Sequence, residues 1–280
     1  MKNGFLLFLA CTGFIASPLF AANKVSTGVT PFLGYRQDNL KWVTNSSSSF
    51  EWKSLKFLEY GVKAKTTIKD RYVIKYDLGL ANLLNGSFKD NQYLRPGASS
   101  TSSSVKGWGM AVAPNFALGY KFKPKKFFDI TPQVGYSYDL IYLNNNKNSG
   151  PFSSLKNTIQ WYGPWTGFDA AVKIRRWSIN LGAVYRLTSY RNTGNWKVQP
   201  VTTKNTLSQS GTGQGMAGRF SFGYEAVKSI VIGAETDMEW ARVKSGHDTR
   251  TFANGVTTKS KLKKVNWNSY GAHLTLTKTY

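Results

Sequence analysis

Glu235, Asp237 and Glu239 stand two residues apart, as do Lys63 and Lys65, and Lys75 precedes Asp77 at the same step. Side chains at that interval share one face of an extended strand but scatter around a helix. A face carrying both signs of charge can line a hydrated path for ions, or it can fill a narrow interior with salt bridges. Arg186 and Arg219 join this set because each falls on the polar parity of its own segment. Hydrolytic chemistry would ask for an acidic pair to position water and an Asp/His dyad. Two histidines are present. His247 lies beside Asp248, yet neighbours on an extended chain point to opposite faces. His273 sits on the polar parity of the last segment, where a satisfied interior group is the simpler reading. Asp90 has no second carboxylate beside it, and the chain has no glycine-rich phosphate loop, metal-ligand spacing or nucleophile elbow. The residues therefore predict no catalytic, cofactor-binding or metal site, and no enzyme.

The elements that must position these charges are visible in GWGMAVAPNFALGYKF, Gly107 to Phe122. Trp108, Met110, Val112, Phe116, Leu118, Tyr120 and Phe122 hold one parity, and glycine, alanine and asparagine hold most of the other. A soluble sandwich leaves a charged face toward water, and a buried parallel strand is apolar on both sides. A closed membrane barrel explains both faces, with bulky side chains toward lipid and small or polar ones toward a crowded lumen. The pattern recurs. Tyr72, Ile74, Tyr76, Leu78 and Leu80 oppose Lys75, Asp77 and Gly79, while Ile230, Ile232, Ala234, Met238 and Trp240 oppose the three acids named first.

Short charged turns at residues 69–71, 123–126, 174–177 and 226–229 alternate with longer polar stretches near 43–52, 87–105, 143–156, 194–211 and 245–261. Four tight turns and five long loops require about ten strands. The predicted fold is all-β: a transmembrane antiparallel β-barrel with short periplasmic turns and long extracellular loops. Strands of about 15 to 20 residues exceed the roughly 9 to 11 tilted residues that cross a bilayer, so the barrel should protrude on its loop side. Within 245–261, FANGVTT reads as an Asn-Gly hairpin tip. The last strand ends TLTKTY, a terminal aromatic of the kind read by the outer-membrane assembly machinery. Residues 1–22 combine Lys2, an apolar run and the small pair Ala21 and Ala22, as a cleaved signal peptide does, leaving 23–280 as the barrel and placing it in a bacterial outer membrane. The single cysteine, Cys11, lies in that leader, so the exported chain has no thiol chemistry.

A formal net charge of +23 calls for acidic surroundings. Export disfavours nucleic acid; outer-membrane lipid and lipopolysaccharide phosphates, or small hydrophilic solutes of negative charge, suit it better. Parity places Arg36, Lys63, Lys65, Lys75, Lys121, Lys173, Arg186 and Arg219 inward. The inward acids Asp38, Glu59, Asp77, Asp129, Asp139, Asp169, Glu225, Glu235, Asp237 and Glu239 slightly outnumber them. Paired charges that stiffen a small barrel, or a narrow wet path through the same groups, both fit. Trp161 and Trp165, inward beside Gly163 and Gly167, should narrow the lumen. The surplus of Lys and Arg then falls in loops, with Lys89, Arg95, Lys106, Lys156, Lys261, Lys263 and Lys264 at the outer rim; Arg250 and Lys147 read the same way. The favoured function is a narrow porin for small hydrophilic solutes with a modest anion bias. A non-conducting surface adhesin or lipopolysaccharide-binding scaffold is the alternative.

At WYGPWTGFD (Trp161 to Asp169), YRLTSYRNTGNW (Tyr185 to Trp196) and GHDTRTFANGVTTKSKLKKVNWNS (Gly246 to Ser269) the chain resembles the outer-membrane protein family named after Protochlamydia. The resemblance covers roughly the C-terminal 120 residues. It implies a surface-exposed outer-membrane barrel, in some members a porin, and supplies no site residues. A protruding ten-stranded barrel is also similar to the omptin proteases, which makes such a protease a third, less favoured alternative.

Overall fold

The structure is a computed structural model that describes residues 25–44, 48–95, 97–105, 107–145, 151–198 and 204–280. The leader assigned to residues 1–22, together with Lys106 and Lys147, lies outside the described residues. Twelve strands are found among the described residues: β1 (Val25–Thr44), β2 (Ser49–Ile68), β3 (Tyr72–Asn91), β4 (Thr101–Ser104), β5 (Trp108–Tyr120), β6 (Phe122–Lys125), β7 (Phe128–Asn145), β8 (Phe152–Ile174), β9 (Trp177–Val198), β10 (Asn205–Val227), β11 (Ile230–Thr251) and β12 (Thr257–Thr279). Two are short additions: β4 folds back on β3, and β6 pairs with β7. The other ten are antiparallel staves, and the pairing of β1 with β12 and of β2 with β3 closes them into one ten-stranded barrel.

Outward parity gives the membrane belt. Exposed apolar residues run from Trp177 to Leu187 on β9 and from Ile232 to Trp240 on β11, with Tyr270, Leu274 and Leu276 on β12. Those lengths agree with the roughly 9 to 11 tilted residues that cross a bilayer. Tyr72, Tyr120 and Phe122 pack edge to face near the first two turns, and Trp177 stacks on Phe222 by the third, as a periplasmic girdle requires. At the first of these turns Lys69 and Asp70 take φ of 51° and 61°, and Arg71 N–H donates to Ile68 C=O at 3.1 Å.

Beyond the belt the strands continue, and the long loops expected at 87–105, 194–211 and 245–261 are largely strand. β3 extends to Asn91 and pairs with β4 from Ser87↔Ser104 to Asp90↔Thr101. β11 and β12 stay in register to Thr251↔Thr257 and turn at the Asn254-Gly255 tip, where Gly255 has φ +83°. The polar residues that suggested loops are the solvent face of a turret standing outside the membrane.

In the turret the chemistry of the two faces is exchanged; β1 keeps its parity throughout, while β11 and β12 change theirs at irregularities above Val243 and Val265. On β12, Gly271 and His273 face inward between Tyr270, Leu274 and Leu276, which face lipid; higher up, Leu262, Val265 and Trp267 are buried between lysine and asparagine. β1 changes in the same way: Arg36 and Asp38 are inward below, Leu40 and Trp42 above. The membrane half therefore has a polar interior, and the turret has an apolar one built around Trp42, Trp52, Phe57, Trp161, Trp196 and Trp267.

Candidate functional site

The barrel interior is layered from the outer mouth downward. At the mouth, the segment after β3 tucks inward, and Tyr93 and Leu94 are buried. Asp90 shapes it by accepting from the backbone N–H of Tyr93 and Leu94 at 3.0 and 2.9 Å, with Arg95 Nε 3.6 Å from its other oxygen. Burial pushes the Asp90 carboxyl above the usual carboxylate range, against the opposing pull of those donors. Asp90 thus holds a turn together. Arg95, expected as a free rim cation, is instead committed: it donates to Ser99 C=O at 3.1 Å and to the Thr101 hydroxyl, and lies 5.4 Å from the Phe152 ring centroid. Arg250 is corrected in the same way. It is buried, 3.1 Å from Asp248 Oδ2, and donates to Tyr93 C=O at 2.5 Å.

Asp248 ties the mouth to the staves. It accepts from Tyr93 Oη at 2.7 Å, Gln209 Nε2 at 3.1 Å and Ser260 Oγ at 3.1 Å. Gln209 Oε1 accepts in turn from Tyr190 Oη at 2.8 Å and Asn192 Nδ2 at 3.0 Å, and Trp42 donates to Tyr190. His247, on the other face of β11, is exposed, so parity separates it from Asp248.

Beneath this network lies the aromatic layer. Trp161 stacks on Trp267 with ring centroids 5.6 Å apart at 26°, and meets Tyr190 at 4.7 Å. Phe50 packs against Trp52 of its own strand, Phe88 of β3 and Tyr93 of the segment that follows β3. Trp161 is wholly buried, so it fills the interior where a narrowing was expected. Trp165, lower down, covers Gly135, where an added Cβ would come within 2.5 Å of the indole, and its Nε1 donates to Asn115 Oδ1 at 2.8 Å.

The charged layer begins below the indoles. The Arg36 guanidinium lies 5.6 Å from the Trp267 ring centroid and 2.9 Å from Asp38. Arg186 bridges Asp139 at 3.0 Å and Glu239 at 2.5 Å. His273 sits between two carboxylates, Nε2 3.0 Å from Glu59 and Nδ1 3.2 Å from Asp237. Arg219 reaches Asp77 and Glu235, both at 3.3 Å, Lys63 pairs with Glu235, and Lys75 with Asp169. A cavity of about 170 Å³ remains among these groups. Glu235, Asp237 and His273 offer donor atoms within 4.8 Å of one another, a set that could hold a metal ion. Glu235 is already paired with Lys63 and Arg219, and Asp237 and His273 are paired with each other. Of the lumen lysines, Lys65 stands apart. Without an ion pair among the described residues, it shares with Lys63 and Lys75 a wider polar vestibule of about 380 Å³ at the turn end of the barrel, whose wall also carries threonine and serine hydroxyls.

At the rim, Lys89, Lys261 and Lys263 are exposed, while Lys156 and Lys264 are half-buried. Parity thus places the lumen set, but the aromatic layer and the inward fold of Tyr93 are features that the reading of charge overlooked. Their signal is the alternation in SSFEWKSLKF, Ser48 to Phe57, where Phe50 and Trp52 and then, past a bulge, Leu55 and Phe57 face inward.

The barrel is similar to the outer membrane protease OmpT from Escherichia coli, with a TM-score of 0.75 at 9% identity over 94% of this chain and 100% of that one. The translocator domain of autotransporter NalP from Neisseria meningitidis has a TM-score of 0.42 at 9% identity, over 98% of this chain and 94% of that one. For the outer membrane protein OprG from Pseudomonas aeruginosa the values are 0.40 and 8%, over 91% and 96%. At 9% identity the likeness to OmpT speaks to fold alone. No curated protein matches the chain. The sequence family reaches further than the C-terminal motifs: residues 32–280 match throughout, and the chain belongs to the Protochlamydia outer membrane protein family, as an outer-membrane β-barrel protein.

Proposed function

We propose that the chain is a non-conducting, non-enzymatic barrel whose membrane half anchors a rigid turret, so that its work is done at the cell surface by the turret wall and hairpin tips. The observation that carries this reading is the buried aromatic layer from Trp42 to Trp267, capped by the inward-folded Tyr93, between the mouth and the charged cavity. Interior ion pairs support it further. Every inward acid named from the sequence stands in a salt bridge, as a stiffening ladder would have it and as a wide ion path would not. The non-enzymatic part rests on His273, which lies beneath that layer between Glu59 and Asp237, away from any substrate at the mouth. A narrow anion-biased porin would need the Trp161–Trp267 stack and the Tyr93 segment to withdraw together.

The test is a planar bilayer holding the refolded chain under a salt gradient. Silence from correctly folded protein is the expected result; discrete steps with an anion-selective reversal potential would overturn the scaffold in favour of the porin. Placement in the membrane follows from export and assembly, for which we assign residues 1–22 to a removed leader. N-terminal sequencing of protein extracted from outer membranes should begin at Ala22 or Asn23, and recovery of Met1 would refute that assignment.

A further inference from the structure

Two irregularities meet on the outer wall just above the lipid belt. The β8–β9 ladder runs to Tyr162↔Ser189 and resumes at Trp165↔Arg186, because Pro164 has no N–H to contribute. On β11, Lys244 is an extra residue: Thr212 of β10 pairs with Ser245, and the adjacent Gly213 pairs with Val243. Between these breaks lies a groove of about 410 Å³ whose lining includes Pro164, Leu187, Ser189, Gln214, Arg242 and Lys244. Its lower lip is the membrane belt, where Leu187, Met216 and Trp240 are exposed. Tyr185, in the belt, donates its hydroxyl to Gln214 Oε1 at 3.2 Å, which leaves the Gln214 amide nitrogen as a donor.

The charges in this groove are unbalanced. Of the fourteen Asp and Glu residues, all but Asp70 in the first turn stand in an ion pair, and only Glu51, held by Lys53 at 3.6 Å, does so on the turret's outer wall. Among the described residues no carboxylate lies within ion-pair distance of Arg242 or Lys244, and Arg242 Nε is buried without an acceptor. A planar guanidinium donor set with an ammonium beside it, one step above an apolar belt, matches a phosphate monoester attached to acyl chains.

We infer that this groove binds the phosphate of an outer-leaflet lipid, Arg242 and Lys244 holding the phosphate oxygens and Leu187, Met216 and Trp240 receiving the acyl chains. The site sits outside the lumen and does not depend on whether the barrel conducts. It differs from the loop rim expected from the sequence, because its cations face outward from the strands themselves.

The test uses the intact folded chain in detergent micelles with diphosphoryl lipid A as the probe and native mass spectrometry to count retained lipid. Wild type should retain it, and should retain the dephosphorylated form weakly. Arg242→Glu with Lys244→Glu is expected to lower retention about tenfold or more, the loss of charge-assisted hydrogen bonds. Lys259→Glu with Lys261→Glu, an equal charge change on the distal hairpin, should leave retention unchanged. Arg242→Gln with Lys244→Gln serves should the reversal prevent folding. Equal losses in the groove and hairpin variants would overturn the site in favour of diffuse attraction. Equal binding of the dephosphorylated lipid would remove the phosphate from the account, and displacement by inorganic phosphate alone would mark a free-anion site.

Discussion

Arg186→Ala is expected to destabilise the barrel by about 3–5 kcal/mol while leaving it electrically silent, because it strands two buried carboxylates at once. Arg186 lies 3.0 Å from Asp139 and 2.5 Å from Glu239, and all three side chains are at least four-fifths buried. Urea unfolding in micelles, followed by tryptophan fluorescence, reads the stability change. Arg219→Ala should cost less: that side chain is 41% exposed, and solvent can replace part of what it supplies to Asp77 and Glu235. If Arg186→Ala kept wild-type stability and instead produced or altered an ion-selective current, Arg186 would be a pore-lining group and the interior a path for solutes.

The second large effect belongs to the aromatic layer. Trp267→Ala is expected to cost about 3–5 kcal/mol through the lost burial and the cavity left behind. Trp161→Ala combined with it should cost less than the sum, since the two indoles stack on each other and share the space vacated. The double variant has a functional reading too. Ser137 lines the charged cavity below the layer. A cysteine introduced there, Ser137→Cys, should be closed to a bulky sulfonated thiol reagent applied to intact cells, and become reactive when both tryptophans are removed. Labelling of Ser137→Cys with both tryptophans in place would show that the layer is no barrier.

Much of this architecture was legible in the residues. Alternation in Tyr72 to Leu80 and in Ile230 to Trp240 is enough to orient those staves, because lipid and lumen make opposite demands on neighbouring side chains. The inward charges follow from the same parity. What escaped is the upper half. Polar residues such as Ser208 and Ser210 suggest a loop when lipid is the assumed outer solvent, yet they are the water face of a strand whose inner face holds Leu207 and Gln209. The positions of Arg95 and Arg250 were also beyond reach, since their partners Asp90, Asp248 and the Tyr93 carbonyl come together only when the segment after β3 turns into the mouth. The groove above the belt depends on Pro164 and Lys244 lying on strands whose register no single strand reveals.

The continuity of the staves from membrane to tip has a mechanical side. Among the described residues the long strands run on from one half into the other, so whatever touches a hairpin pulls directly on the barrel. A pull at the Asn254-Gly255 tip loads the β11–β12 ladder one hydrogen bond after another, from outside inward. Peeling reaches the level of Trp267 and meets indoles that grip β1, β8 and β9 as well, so the load is shared across the barrel at that height. The tips can therefore yield under shear, or diverge in sequence, while the part embedded in lipid keeps its shape.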